Sequence, residues 1–198
     1  MPDDSFQTLK APSEGIFTEK KSKFIAFAIP VKTVDEAMEH VARLQKDYFD
    51  ARHVCWAYMI GADRLTFRAN DNGEPSGTAG KPILGQIESF KLTNILIAVV
   101  RYFGGIKLGT SGLIAAYREA AREAIENGEI ITCHEMVEIS FTFPYQAMND
   151  VMKLTKNPEV EVTERCFDNT CSMTLSTRSG YAETLKASIE KIDGATLS

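Results

Sequence analysis

Ile95-Leu-Ile-Ala-Val-Val-Arg-Tyr-Phe-Gly-Gly-Ile-Lys-Leu-Gly-Thr-Ser-Gly112 joins an uninterrupted apolar run to a segment rich in glycine. The apolar run at residues 95–100 predicts a buried strand, and the glycines after it predict a loop that opens a helix. A second glycine-rich stretch, Asp71-Asn-Gly-Glu-Pro-Ser-Gly-Thr-Ala-Gly-Lys-Pro82, precedes this strand. Residues 71–82 and 101–112, called here the first and second glycine loops, hold 7 of the 13 glycines of the chain. Because glycine lets the backbone turn tightly or approach another group closely, these loops are the candidate ligand-binding region.

The composition is that of an ordinary globular protein of 198 residues with a net charge of −5. The acidic start has no signal-peptide pattern, and the apolar run at 95–100 is too short to cross a bilayer. We therefore expect a cytoplasmic protein with reduced thiols and no membrane partner. The charge is −1 over residues 1–130 and −4 over residues 131–198. A chain without a basic excess lacks a broad nucleic-acid-binding face, so an RNA contact would need a local basic cluster.

Apolar periodicity and turn residues predict an α+β protein of two domains, residues 1–133 and residues 134–198. In the first domain, a capping box at Thr33 and Glu36 opens a helix, and Pro82 is typical of the first position of another. The strand at 94–103 leads into a helix over 111–127. The second domain has the order β-α-β-β-α-β, which is that of a small ferredoxin-like α/β sandwich.

The second glycine loop has the features of an anion-binding site. A strand leads through it into a helix, whose first N–H groups lack partners and carry the positive end of the helix dipole. Arg101 and Lys107 would add charge to the same place. The loop is not a Walker A motif, since Thr110 occupies the position of the required lysine. The alternative is that these glycines only let the helix pack tightly on the sheet.

The first glycine loop contains two carboxylates, Asp71 and Glu74, close to Lys81. Paired carboxylates serve as acid/base groups or hold a hard cation, but Asp-Asn-Gly is also an ordinary turn signal. Residues 77–80 have the G-x-x-G form of a KH clamp without the helical surroundings of a KH domain. Neighbouring His53 and Cys55 fit a buried strand better than a nucleophile pair. We expect no metal and no cofactor.

Five pieces of the chain recur together in one known family: Lys21-Ser-Lys-Phe24, Ala51-Arg-His-Val-Cys-Trp-Ala57, Asp71–Pro82, Val99–Leu113 and Ala116-Tyr117. In that order they resemble the IMPACT family, an uncharacterised protein family, over roughly residues 16–128. Two positions depart from the family pattern: Asn72 replaces an aspartate, which weakens a two-carboxylate metal site, and Ser111 replaces a glycine and could cap the helix.

The resemblance implies a first domain with the fold of the second domain of ribosomal protein S5. It also implies a second domain similar to the last domain of elongation factor G, as in bacterial members of the family. Eukaryotic members carry a different N-terminal domain and regulate translation through partners of a stress-response kinase, a role that does not carry over. The GHMP small-molecule kinases share the S5-like fold, and their phosphate loop looks like residues 107–113.

Two functions remain open. The leading hypothesis is a non-enzymatic binding or regulatory protein linked to translation, which contacts RNA, the ribosome or another phosphate-bearing partner. The alternative is a small-molecule phosphate or nucleotide enzyme, in which Glu74 or Asp71 acts as the acid/base or metal group. A protein partner on the acidic second domain is a third possibility. The candidate ligand-binding residues are Arg52, His53, Asp71, Glu74, Gly77, Thr78, Gly80, Lys81, Arg101, Gly104, Gly105, Lys107, Gly109, Thr110 and Ser111.

Overall fold

The computed structural model describes residues 4–168 and 170–198. The chain has a mixed α/β architecture and divides into two compact units. The larger unit comprises residues 6–133, and the smaller unit comprises residues 134–198 together with residues 4 and 5. In the part of the chain that the structure describes, no helix is both long and apolar enough to span a bilayer.

A five-stranded antiparallel sheet forms the centre of the larger unit. A separate two-stranded sheet pairs the first strand in the chain with the seventh. The elements are β1 (Ser5–Leu9), β2 (Ser13–Glu19), β3 (Ser22–Pro30), α1 (Val34–Asp47), β4 (His53–Ile60), β5 (Thr66–Asn70), α2 (Gly80–Ser89), β6 (Ile95–Tyr102), α3 (Gly109–Glu126) and β7 (Ile130–His134). The order of the central sheet is β2-β3-β6-β4-β5, so the predicted buried strand β6 is its middle strand.

The alternation of side chains along β6 places a charged group at the end of an apolar stripe. Ile95, Ile97 and Val99 pack beneath α2 and α3, whereas the residues between them pack beneath α1. Since successive side chains in a strand point to opposite faces, Arg101 continues the stripe that faces α2 and α3. It stands opposite Phe24 of β3 and His53 of β4. The sheet therefore brings Arg101 to the edge of the core, where the two glycine loops begin.

The helix starts show which sequence signals were reliable. The predicted N-cap is confirmed, because Thr33 Oγ1 accepts a hydrogen bond of 3.1 Å from the Glu36 N–H. The Glu36 carboxylate accepts from the Lys32 N–H, one residue before the N–H of a full capping box. The predicted starts at Pro82 and Ser111 are wrong: α2 begins at Gly80 and α3 at Gly109. Because glycine has no side chain, it contributes nothing to an apolar pattern. The periodicity of apolar residues therefore did not reveal the first residues of either helix.

The smaller unit has the element succession that the sequence predicts. Its four-stranded antiparallel sheet has the order β11-β8-β10-β9, and α4 and α5 contribute Val151 and Ile189 to its core. The elements are β8 (Met136–Phe143), α4 (Met148–Leu154), β9 (Val160–Phe167), β10 (Cys171–Arg178), α5 (Ala182–Glu190) and β11 (Thr196–Leu197).

Asp4 is fixed to the smaller unit by its carboxylate. It accepts hydrogen bonds of 2.7 Å from Arg178 Nη2 and 3.0 Å from the Gly180 N–H, and it lies 3.2 Å from His134 Nδ1. The Arg178 hydrogen bond, followed by that from Gly180, holds the pKa of Asp4 well below its usual range. The start of the described chain is therefore an ordered part of this unit.

Candidate functional site

The two glycine loops border a cavity of about 390 Å³ in the larger unit, which we call the loop pocket. Its volume lies within the ~300–1,000 Å³ usual for small-ligand sites. Basic side chains, one carboxylate and several apolar groups share its wall. The lining residues are Arg52, His53, Glu74, Pro75, Arg101, Phe103, Lys107, Leu108, Gly109, Thr110 and Leu113.

A buried ion pair lies at the base of the loop pocket. Arg101 Nη1 donates to Glu74 Oε1 at 2.5 Å, and the two side chains are only 8% and 4% exposed. The same oxygen of Glu74 accepts a second hydrogen bond of 2.8 Å from the Tyr117 hydroxyl. Because an isolated buried charge is costly, these two donors are what allow Glu74 to lie in the core as a carboxylate.

The hydrogen-bond chain continues from the ion pair into the core. Cys55 Sγ lies 3.3 Å from the Tyr117 hydroxyl and donates at 3.0 Å to the Asp71 carbonyl oxygen. Burial raises the pKa of Cys55 to about 12, and burial likewise raises the pKa of Tyr117 far above its usual value. Both groups therefore stay protonated at neutral pH. Cys55 therefore acts as a hydrogen-bond donor in the core, and it does not form a nucleophile pair with His53.

Arg101 keeps one donor that no described residue satisfies. Its guanidinium carbon lies 5.5 Å from the Phe24 ring centroid and 5.7 Å from that of Phe103, so two aromatic rings flank it. Its Nε atom is buried and has no hydrogen-bond partner among the residues that the structure describes. A buried donor without an acceptor costs roughly 1–3 kcal/mol. Arg101 also lines the loop pocket, so its positive charge favours an anion there.

The start of α3 supplies further donors to the same pocket. The N-cap residue, Leu108, provides no side-chain hydrogen bond, and Gly109 has a positive φ of 74°. The expectation that Ser111 caps this helix is wrong, because Ser111 is its third residue. The first N–H groups of α3 thus remain available to a ligand, and the helix dipole favours negative charge there.

The start of α2 is already occupied by a carboxylate of the protein itself. Asp71 Oδ1 accepts hydrogen bonds from the Ala79 and Gly80 N–H groups, and Oδ2 accepts one of 2.8 Å from Gly77. Burial opposes ionisation, but these three donors outweigh it and hold the pKa of Asp71 below its usual value. Asp71 is therefore an anchor of the first glycine loop, which explains why it does not line the pocket.

Asn72 uses an atom that an aspartate lacks. Its backbone is left-handed, with φ of 39°, and its Nδ2 donates to the Val54 carbonyl oxygen at 3.0 Å. Its own carbonyl oxygen lies 2.8 Å from His53 Nδ1. Among the described residues, no group of three or more His, Cys, Asp or Glu side chains is placed to hold a metal ion. Asn72 instead joins the first glycine loop to β4.

The structure brings together about half of the predicted site residues. Those in the loop pocket are Arg52, His53, Glu74, Arg101, Lys107, Gly109 and Thr110. Gly77 and Lys81 line a different cavity, Thr78 bonds the Pro75 carbonyl oxygen, and Gly104 packs against the Lys21 backbone. Asp71, Gly80, Gly105 and Ser111 are also outside the pocket lining. Sequence reasoning did not predict four of the pocket residues, Pro75, Phe103, Leu108 and Leu113. Of these, only Phe103 could have been predicted, because it is an aromatic residue within the second glycine loop.

The sequence profile of the Impact N-terminal domain matches residues 20–125, which include both glycine loops and the whole pocket lining. The chain belongs to the IMPACT family. IMPACT family member YvyE of Bacillus subtilis is 42% identical over 62% of this chain and 57% of its own length. An IMPACT family member of Haemophilus influenzae is 35% identical over 75% of this chain and 73% of its own. The match therefore spans little more than half of the first relative.

One solved structure extends the likeness to both units. A hypothetical protein of known crystal structure aligns with 98% of this chain and 96% of its own at 27% identity, with a TM-score of 0.77. Yih1, a two-domain translational regulator, aligns with 62% of this chain and 47% of its own at 24% identity. Its TM-score of 0.37 is too low to carry a structural argument. The first likeness supports the mixed α/β architecture of this IMPACT family protein along nearly its whole length.

Proposed function

We propose that this IMPACT family protein is a non-enzymatic, cytoplasmic RNA-binding protein linked to translation, which holds RNA phosphate in the loop pocket. The observation that carries the proposal is that the open N-terminus of α3 and the guanidinium of Arg101 line one pocket. A helix N-terminus alone is a weak argument. A cationic side chain in the wall of the same pocket is an independent indication of an anionic ligand.

The fold assignment that accompanies this proposal has two parts. We assign an S5 domain 2-like fold to the larger unit, on the family resemblance over roughly residues 16–128. The smaller unit is a ferredoxin-like domain similar to the last domain of elongation factor G. Its β-α-β-β-α-β succession, in which the fourth strand lies beside the first and the third beside the second, supports this assignment.

Exposed basic side chains at the rim of the pocket would complete a phosphate site. Arg52 and Lys107 are exposed, unlike Arg101, so their flexible side chains can reach phosphate oxygens without a burial cost. Phosphate contacts of this kind release counterions from RNA, which makes affinity fall as salt rises. The proposal therefore predicts a local electrostatic contribution from these residues despite the overall charge of −5.

The test is a salt titration of binding to single-stranded RNA, followed by fluorescence anisotropy. Lys107→Ala and Arg52→Ala should each weaken binding and reduce the slope of log K against log salt by ~0.7 per lost phosphate contact. Lys46→Ala, an exposed lysine on α1, is the matched control and should keep the wild-type slope. Unchanged slopes for both pocket variants would refute the site. Arg101→Ala is a poor probe, because it leaves Glu74 buried without its cation.

A small-molecule phosphate enzyme is the second candidate, favoured by the ligand-sized volume of the pocket. The contacts of Glu74 argue against its acid/base role, since one of its oxygens is engaged by both Arg101 and Tyr117. Thermal-shift screening against nucleotides and sugar phosphates separates the candidates. A ligand at a hundredfold excess over its dissociation constant stabilises the fold by ~2.7 kcal/mol. No shift across a broad panel would remove this alternative.

A protein partner on the smaller unit is a further proposal, which rests on acidic residues of its sheet. Glu138 and Glu161 both stand opposite Ser176, one on each neighbouring strand, and both are exposed. Carboxylates on one sheet face, here separated by a single strand, suit a basic protein segment. The double variant Glu138→Gln, Glu161→Gln should lose pull-down partners that the wild-type chain retains at low salt. An unchanged partner set would contradict this role.

A further inference from the structure

The chemistry of the loop pocket points to one kind of RNA group, a phosphate monoester at the end of a strand with its base stacked on Phe103. This inference rests on the proposed RNA-binding function and specifies which part of the RNA enters the pocket. Three observations carry it: the net charge of the lining, the guanidinium of Arg101 in the pocket wall, and an aromatic ring beside that guanidinium.

The charge of the pocket matches a dianion better than a phosphodiester. Three cationic side chains, Arg52, Arg101 and Lys107, face one carboxylate, Glu74, so the lining has a net charge of +2 before His53 is counted. A phosphate monoester carries about −1.5 to −2 charges at pH 7, whereas each internal phosphodiester carries one. The start of α3 adds a further ~0.5 positive charge. A terminal phosphate neutralises this lining more completely than an internal phosphate does.

The position of Arg101 divides the pocket into a polar and an apolar side. The guanidinium of Arg101 and the first N–H groups of α3 form the polar side, where phosphate oxygens would accept hydrogen bonds. The ring of Phe103 supplies apolar surface, since Phe103 is 48% exposed although its ring contacts the guanidinium. An exposed aromatic face next to a phosphate site is suited to stacking a nucleobase.

The size of the pocket limits it to one nucleotide. A volume of about 390 Å³ is near the lower end of the range for small-ligand sites, and Arg101 in its wall is only 6% exposed. A terminal nucleotide can enter such a cavity from one side. An internal nucleotide is attached to chain on both sides. Both of these continuing stretches would have to pass the rim formed by the two glycine loops.

The test compares three internally labelled, unstructured RNA decamers that differ only at their ends: a 5′-phosphate, a 3′-phosphate, or hydroxyl groups at both ends. Anisotropy titrations should give one phosphorylated decamer an affinity about tenfold higher than that of the hydroxyl decamer. Preference for the 5′ or the 3′ form identifies which end enters. Equal affinity for all three decamers would overturn the inference and leave the proposed RNA-binding function standing. No binding of any decamer would overturn both.

Two variants distinguish the contribution of the phosphate to binding from that of the base. Lys107→Ala should reduce the preference for the phosphorylated decamer by about half an order of magnitude or more, as a charge-assisted contact is lost. Phe103→Ala should weaken binding of every decamer by about tenfold, as a stacked base is lost, and should keep the preference. Lys46→Ala and Phe67→Ala are the controls, the latter removing a ring that is 53% exposed on β5. A preference that survives Lys107→Ala unchanged would contradict the assignment.

Discussion

Tyr117 and Glu74, 43 residues apart in the chain, are joined by a buried hydrogen bond of 2.8 Å between the hydroxyl and Oε1. This contact links α3 to the first glycine loop. It also orients the carboxylate that holds Arg101, so buried contacts fix these two loop residues at the base of the loop pocket. The pocket is therefore preorganised, and a ligand would not need to order its principal cation.

Tyr117→Phe should destabilise the protein, because it removes a donor to a buried carboxylate. We expect a loss of about 1.5–3 kcal/mol in the free energy of unfolding, the range for hydrogen bonds to charged groups. Urea denaturation followed by circular dichroism measures it. Tyr145→Phe is the control, because Tyr145 is 74% exposed. Equal stability of Tyr117→Phe and wild type would show that the hydroxyl does not support Glu74.

Two glycines in α2 should respond to alanine in opposite ways. A Cβ at Gly80 would lie 2.6 Å from the Asn70 backbone nitrogen, whereas a Cβ at Gly85 would meet nothing within 4 Å. Gly80→Ala should cost more than about 1 kcal/mol through overpacking against backbone, and Gly85→Ala should stabilise by about 0.5–1 kcal/mol. Thermal melts of the two variants decide the point. The same sign for both would contradict the close packing of the first glycine loop on β5.

The sequence predicted the elements and the region of the site better than the individual contacts. Periodicity and the capping box located α1, and the apolar run located β6, because both signals are local. The strand β1 was not predicted, since its pairing with β7 depends on residues more than a hundred positions away. Periodicity describes one face of one element and says nothing about such partners.

The two carboxylates of the first glycine loop show the same limit at the site. Asp71 and Glu74 looked equivalent in sequence, but the fold gives one to backbone N–H groups and the other to Arg101. Which donors surround a carboxylate depends on how distant segments pack, and glycine spacing does not encode it. The predicted involvement of Arg101, Lys107 and Gly109 in one site required only the strand–loop–helix pattern.

Cysteine reactivity should separate the buried thiol from an exposed one. Burial raises the pKa of Cys55 to about 12, so almost none of it is thiolate at pH 8. Cys166 is exposed. Mass spectrometry after iodoacetamide treatment of the folded protein should find Cys166 alkylated and Cys55 unmodified, with Cys55 reacting only after denaturation. Rapid modification of Cys55 in the native protein would mean that its hydrogen bond to the Asp71 carbonyl oxygen and the packing around it open readily.

Asp4 should give the smaller unit a stability that depends on acid pH. Because the folded-state pKa lies below the unfolded value of about 3.9, the contribution is complete above that value and is lost as pH falls toward the folded pKa. Asp4→Asn should therefore lower the melting temperature at pH 7, and the difference from wild type should shrink below about pH 4. Asp150→Asn, which alters an exposed pair with Lys153, should change little. A difference that is constant with pH would exclude the carboxylate as its source.

The most direct test of the central claim uses the two helix starts as probe and internal control. Backbone amide resonances of Gly109, Thr110 and Ser111 are recorded by ¹⁵N nuclear magnetic resonance during titration with the RNA decamer that binds most tightly. The account predicts progressive shifts at these open amides, whereas Gly80, whose amide is already bound to Asp71, stays in place. Saturating RNA that leaves residues 109–111 unshifted would contradict phosphate binding at the start of α3.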